Sequence, residues 1–379
     1  MAENSLQRLN AAGQSIWLDF IDRTILRNGD LQRRIQDDAL TGMTSNPSIF
    51  EKALAEGSTY DDQIHSADAD FTALELFELI ATTDVRSACD AFAGVHEQTH
   101  GADGFVSIEV SPGAANDARA TISEGSRLWA TVDRRNVMIK VPGTTEGAKA
   151  VRQLTADGVN VNITLLFAID AYKSVIDAYM SGLEDRIAAG KQIDAIHSVA
   201  SFFVSRVDSE VDKRLDVAAK TSADASALKA LQGKAAIANA KLAYELFQTE
   251  IASPRWKALA SQGATVQRPL WASTSTKNPA YRDVMYVEEL IGPDTVNTMP
   301  PQTIDAFRDH GIVKRTVDAN VDEAKAAIDA LEKNGISMKS VTDKLLVDGL
   351  ASFQKSFDTL IVGLQNKTKA LGKELAESR

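Results

Sequence analysis

The sequence predicts an α/β protein folded as one closed (β/α)₈ barrel, the TIM-barrel architecture, with additional helices after the last strand. Three observations predict it. Eight short runs rich in apolar residues recur along the chain, and longer segments with apolar residues at three- and four-residue steps lie between them. No low-complexity linker, Pro/Ser-rich hinge or internal repeat divides the 379 residues, a length that an α/β barrel can fill as a single domain. An open doubly wound sheet shows the same alternation, so closure is inferred from the number of units.

In order, the runs are Ser15–Ile21 (SIWLDFI), Gly42–Phe50 (GMTSNPSIF), Gly104–Val110 (GFVSIEV) and Val137–Pro142 (VMIKVP). Then follow Val159–Phe167 (VNVNITLLF), Ala195–Val204 (AIHSVASFFV), Thr265–Ser273 (TVQRPLWAS) and Thr295–Met299 (TVNTM). Several are apolar almost throughout, as strands covered on both faces of a parallel sheet are. A helix is expected over Asp70–Gln98, where Thr72 and Glu75 have capping-box spacing and Leu74, Phe77 and Ile80 share a face beside Leu76. Ala168–Ala189 and Ser209–Ile251 carry similar stripes. After the eighth run, Asp322–Lys333 stops at Asn334-Gly335, a helix C-cap. Leu346, Leu350, Phe353, Phe357, Leu360 and Leu364 then form a stripe too long to be left in water. Residues 1–379 are therefore expected as one domain, with 318–379 a helical extension packed on the barrel.

Composition narrows the partners. A net charge of −11 and a pI near 5.1 exclude nucleic acid and anionic membrane as general partners. Any anionic substrate must be met by cations gathered locally. Cys89 is the only cysteine, so a disulfide framework is excluded and a buried small apolar role is expected. The segment MAENSLQRLN lacks a basic region followed by an apolar run, and no stretch reaches a membrane-spanning length, so a cytoplasmic location is expected. The five histidines show no metal-ligand spacing, and neither a dinucleotide fingerprint nor a P-loop occurs, so no metal or cofactor is expected. Monomer and homodimer are left equally open.

The chemistry shows in polar residues placed inside or at the ends of apolar runs: Asp19, Asn46, Glu109, Lys140, Asn162, Thr164, Ser201 and Arg206. Burying such groups costs several kcal/mol unless they are paired or used. In a barrel of this kind, catalytic groups come from the C-terminal ends of several strands. Lys140 lies between aliphatics in Val137–Pro142, and desolvation favours the neutral amine, the form that attacks a ketone. The resulting imine is an electron sink that permits cleavage of a neighbouring carbon–carbon bond. Asp19 and Glu109 supply two carboxylates for the accompanying proton transfers, and both can also serve simply as charge partners of the lysine. Asn46 and Asn162 offer amides for sugar hydroxyls. Asn46-Pro47 also reads as a turn before a helix, and Asn160 shares a face with Asn162, so which of the two faces the site stays open. Arg206 with Ser275 and Lys277 reads as a phosphate site.

Taken together, IWLDFI, TGMTSNPSIF, VSIEV, MIKVPGT, VNVNITLLF and SVASFFVSRVD resemble the transaldolases, the longer bacterial form in particular, from about residue 10 onward. The resemblance implies a Schiff-base lysine at Lys140 and an acid/base at Asp19 that handles the C4 hydroxyl proton of the substrate. It implies a catalytic water held by Glu109 and Thr164, contacts to a dihydroxyacetone portion from Asn46 and Asn162, and a further contact from Ser201. Phe203 is implied as the aromatic lining and Arg206 as a phosphate ligand. The substrates implied are sugar phosphates, with no cofactor. One departure stands out. Shorter relatives place an arginine two residues after an Ala-Ser pair, whereas here Ala272-Ser273 leads through Thr274, Ser275 and Thr276 to Lys277, which lacks the arginine fork. Two other functions fit parts of this pattern. Related aldolases that release free dihydroxyacetone carry glutamine where Glu109 stands, and a non-catalytic barrel would have little reason to keep three buried charges.

Overall fold

The computed structural model describes residues 3–376 except 56, 69 and 374. Its eight strands pair in parallel, in chain order, and close into a barrel. They are β1 (Gln14–Asp19), β2 (Leu40–Thr44), β3 (Phe105–Glu109), β4 (Val137–Pro142), β5 (Val161–Leu166), β6 (Ser198–Phe203), β7 (Gln267–Ala272) and β8 (Thr295–Met299). All eight lie within, or overlap, the expected runs. Closure satisfies every strand edge and puts near-continuous apolar strands between an inner and an outer packed layer.

Differences at the element ends have local causes. The run GMTSNPSIF is strand only to Thr44, because Pro47 opens the helix Pro47–Ala55, where its missing N–H costs nothing. β1 stops at Asp19, and Asp22 caps the next helix by accepting from Ile25 N at 2.7 Å. Ser209–Ile251 is not one helix but three: Ser205–Ala219, Ala225–Lys229 and Ala235–Ala252. Asp224 restarts the chain by capping Ala227, and Gly233 at φ +71° breaks it again. The capping box of Thr72 and Glu75 forms as expected on the helix Ala73–Gln98. Cys89 is buried on that helix.

The helix Val321–Lys333 ends at Asn334, and Met338–Ala370 then runs for 33 residues as the expected extension, whose last residues, 377–379, lie outside those described. Phe357 meets Phe77 edge-on at 5.8 Å, and Ser356 accepts a 2.8 Å hydrogen bond from Ser48. Lys367 and Lys373 tie the far end down by donating to the carbonyls of Gly57 and Ile64. The stripe therefore crosses the C-terminal mouth of the barrel, where Phe353 becomes part of a cavity wall.

The opposite end is locked by side chains. Trp17 of β1 is fully buried and donates its indole N–H to Asp103 at 2.8 Å. Asp103 also accepts from Ser15, whose hydroxyl receives Arg268 at 2.7 Å. The indole fits because its register partner is Gly42: a Cβ there would fall 2.5 Å from Trp17 Nε1. Gly42→Ala is accordingly expected to destabilise the protein by roughly 1–3 kcal/mol through overpacking. Urea denaturation checks this, and an unchanged midpoint would refute the steric account.

Candidate active site

Register decides which side chains meet. In β3–β4 Glu109 is the Cα partner of Lys140, and in β4–β5 Lys140 is the partner of Asn162. Parallel partners point to the same face, so all three project into the barrel. Lys140 Nζ lies 3.1 Å from Glu109 Oε2, with both side chains almost wholly buried, and donates to the carbonyl of Ser45 at 2.9 Å. The expected desolvated lysine is therefore present, but held by a carboxylate and a carbonyl. Ser45 is itself fixed by donating its hydroxyl to the Ser107 carbonyl at 2.8 Å.

Asp19, at the end of β1, accepts from Thr44 at 2.8 Å, and the Thr44 hydroxyl stands 2.6 Å from that of Thr298 on β8. Lys140, Asp19, Thr44, Asn46, Thr164 and Thr298 line one cavity of about 240 Å³ at the C-terminal mouth. Ser201, Phe203, Arg206, Ser275 and Lys277 line it too, toward the outer rim. Glu109 sits behind Lys140, facing a mostly apolar cleft with Phe77 and Phe357.

Asn160 and Asn162 separate cleanly. Asn160 bridges strand starts by donating to the carbonyls of Arg135 and Val137 and accepting from His197 N. Asn162 lies inside, donating to Ser107 at 2.9 Å and accepting from Ser201 at 2.7 Å. Asn46 lies in the turn after β2 and caps the following helix, its Oδ1 accepting from Ile49 N at 3.1 Å. Asn46 is thus a helix-start residue that also faces the cavity. Arg206 is not on β6 but in the first turn of the helix Ser205–Ala219. Its guanidinium lies 5.2 Å over the Phe203 ring and has no hydrogen bond or ion pair among the described residues. Lys277 donates to Ser275 at 2.8 Å on the loop after β7.

Burial dominates the electrostatics. It raises the Asp19 carboxyl above its usual 3.8, while Lys140, the Thr44 hydroxyl, Arg206 and Lys277 pull it back. It raises Glu109 above 4.5, opposed by Lys140 and helped by the nearby Asp19. Lys277 is lowered, first by burial and then by Arg206, with Asp19 opposing. Two cations thus stand partly desolvated on one rim, and two acids flank one amine in the depth. Groups so displaced from their ordinary titration gather where proton transfer or anion binding takes place.

Sequence reasoning missed Thr44, Thr298, Ser45, Ser107 and Phe353. Thr44 sits beside Asn46 in TSNP, and Ser107 precedes Glu109 by the strand period, so both carried a signal. Thr298 and Phe353 carried none, since a threonine in a strand and a phenylalanine in a helix stripe are ordinary.

A lysine flanked by acids at the mouth of an α/β barrel, facing two cations across one cavity, defines an enzyme of carbonyl chemistry on anionic substrates. The sequence profile of the family described as Transaldolase/Fructose-6-phosphate aldolase matches residues 16–363, and the chain belongs to that family. A transaldolase of Trichodesmium erythraeum (strain IMS101) is 47% identical over 377 residues, which span 98% of this chain and 99% of that protein. A transaldolase of Thermobifida fusca (strain YX) is 48% identical over 358 residues, spanning 94% and 96% respectively.

A carboxyl raised by folding binds its proton more tightly in the folded than in the unfolded state. Its contribution to stability is greatest at low pH and falls as pH rises from 3.8 through the folded value. Asp19→Asn removes that loss, so the variant should lose less stability than the parent as pH rises above 3.8. Urea midpoints across that range check this, and parallel curves for the two proteins would contradict it.

Proposed function

We propose that the protein is a transaldolase in which Lys140 forms a Schiff base with a ketose phosphate and carries a dihydroxyacetone unit to an aldose phosphate. The observation that carries this reading is the Lys140 amine, 3.1 Å from Glu109, in a cavity whose rim bears Arg206 and Lys277. The neutral amine adds to the ketone carbon, and the carbinolamine loses water to give a protonated imine. Asp19 takes the proton of the C4 hydroxyl, the C3–C4 bond breaks, and its electron pair flows into the imine to form an enamine. The aldose phosphate departs. An acceptor aldehyde then meets the enamine carbon, Asp19 returns the proton, and water releases the new ketose.

Glu109 and Thr164 hold the water that serves the dehydration and hydration steps. Supporting this, Thr164 Oγ1 is buried and forms no hydrogen bond with a described protein atom, while Glu109 Oε2 lies 3.1 Å from the Lys140 amine. Asn46 and Asn162 contact the dihydroxyacetone portion, Ser201 adds a further contact and Phe203 supplies the aromatic wall. Arg206, Ser275 and Lys277 bind the phosphate. Fructose 6-phosphate and sedoheptulose 7-phosphate are the donors, with erythrose 4-phosphate and glyceraldehyde 3-phosphate the acceptors, in the non-oxidative pentose phosphate route. The chain works as one domain, 1–379, in the cytoplasm. No helix among the described residues is long and apolar enough to cross a membrane.

Borohydride reduction with fructose 6-phosphate and no acceptor should leave a three-carbon adduct on Lys140, located by peptide mass mapping. An adduct on another lysine, or none, sinks the assignment, and Lys140→Met should yield none. Asp19→Asn is expected to lower kcat by roughly 10²- to 10⁴-fold while the imine still forms. Arg206→Ala should lower kcat/KM for phosphorylated donors by roughly 10- to 100-fold, the value of lost charged hydrogen bonds.

A further inference from the structure

The last turn of β5 combines strain with an extra residue. Leu165 has φ +58°, a left-handed conformation that a bulky leucine rarely adopts. Between paired positions, β5 advances from Ile163 to Leu166 while β6 advances only from Ala200 to Phe202, so β5 carries a bulge. On unbroken alternation Leu166 would follow Asn162 and Thr164 onto the inner face. The bulge places it instead beside Phe202, whose ring packs against Tyr172 outside the barrel. Thr164 is thereby left as the last inward residue of the strand, on the cavity wall.

Three neighbours hold this conformation. Gly143, just past β4 and three residues after Lys140, donates its N–H to the Thr164 carbonyl at 2.7 Å. A Cβ there would lie 2.5 Å from Leu166 Cδ2. Asn239 donates to the carbonyl of Phe167 at 2.8 Å. From the other side comes Gly349 of the long C-terminal helix. A Cβ at Gly349 would lie 2.9 Å from Leu165 Cδ2 and 3.7 Å from Arg206 Nη1. Leu165 is buried at this contact, 1% exposed. Backbone strain of this kind persists where its surroundings over-determine it, and it gathers at working sites.

We propose that Leu165 and Gly349 are positioning residues for the imine-forming step. The C-terminal helix, by its close approach at Gly349, pins the Leu165 bulge and so sets where the Thr164 hydroxyl stands above Lys140's strand. The inference rests on the role given above to Thr164 in holding the water. The helix thus reaches the chemistry through the backbone of β5, in addition to lining the cavity with Phe353.

The test is a double-mutant cycle read by rapid borohydride quenching of the imine with fructose 6-phosphate. Gly349→Val should slow imine formation about tenfold, with KM for the ketose phosphate within about twofold. Thr164→Val should slow it at least as much, and adding Gly349→Val to Thr164→Val should slow it no further, because both act on one group. If Gly349→Val does not fold, Gly349→Ala should show a smaller loss with the same pattern. Additive losses would overturn the inference alone, leaving the role of Thr164 intact. A loss confined to KM would mean that Gly349 acts through Arg206, and would also overturn it. Unimpaired imine formation in Thr164→Val would remove the role of Thr164, and the inference with it.

Discussion

Everything at the mouth of this barrel is arranged around a buried amine paired with a buried carboxyl group. Lys140 and Glu109 lie 3.1 Å apart with side chains only 6% and 4% exposed. Either charge alone in that place would cost several kcal/mol, so each requires the other. The pairing depends on the β3–β4 register, because a slip of one residue would turn one partner out of the barrel. That register is fixed by closure of all eight strands, so the chemistry and the architecture stand or fall together. Asp19 adds a second acid from β1, steadied by Thr44 and Thr298 from the strands on either side. Two carboxyls raised by burial are a standing cost to the fold at neutral pH.

At the rim the imbalance is reversed. Arg206 and Lys277 are partly desolvated and repel each other, in a protein whose net charge is −11. A phosphate placed between them would relieve that repulsion and restore what burial removed. Lys277 brings a point charge, so Arg206, stacked on Phe203, supplies the only planar fork among these residues.

The barrel itself was legible because period-two and period-3.6 patterns differ sharply, and eight strongly apolar runs leave few alternatives. Lys140, Glu109 and Asp19 were legible because a charge within an apolar run is conspicuous. What escaped was whatever depends on the chain between elements. Arg206 follows β6 closely enough to read as strand, yet a helix begins at Ser205. Ser209–Ile251 kept a helical stripe through two breaks because its polar linkers are as short as helix turns. Asn160 and Asn162 share one face by periodicity, and only the strand starts in space show that the first is spent on the carbonyls of β4 and its approach. Thr298 and Phe353 are ordinary residues whose meaning comes from what they face. The bulge at Leu165 has no signature in sequence, since LL in a buried strand is unremarked by any propensity.

The lock at the N-terminal end, where Trp17, Asp103, Ser15 and Arg268 interlace, bears on traffic. With Trp17, Phe105 and Leu270 filling the interior, the barrel is not a conduit but a cul-de-sac. Both sugar phosphates, arriving and leaving, must share one doorway beneath the C-terminal helix. A departing aldose phosphate and an incoming one then compete for the same space and the same cations, so the queue is single file. The order of events in the proposed cycle is imposed by the plumbing as much as by the covalent chemistry.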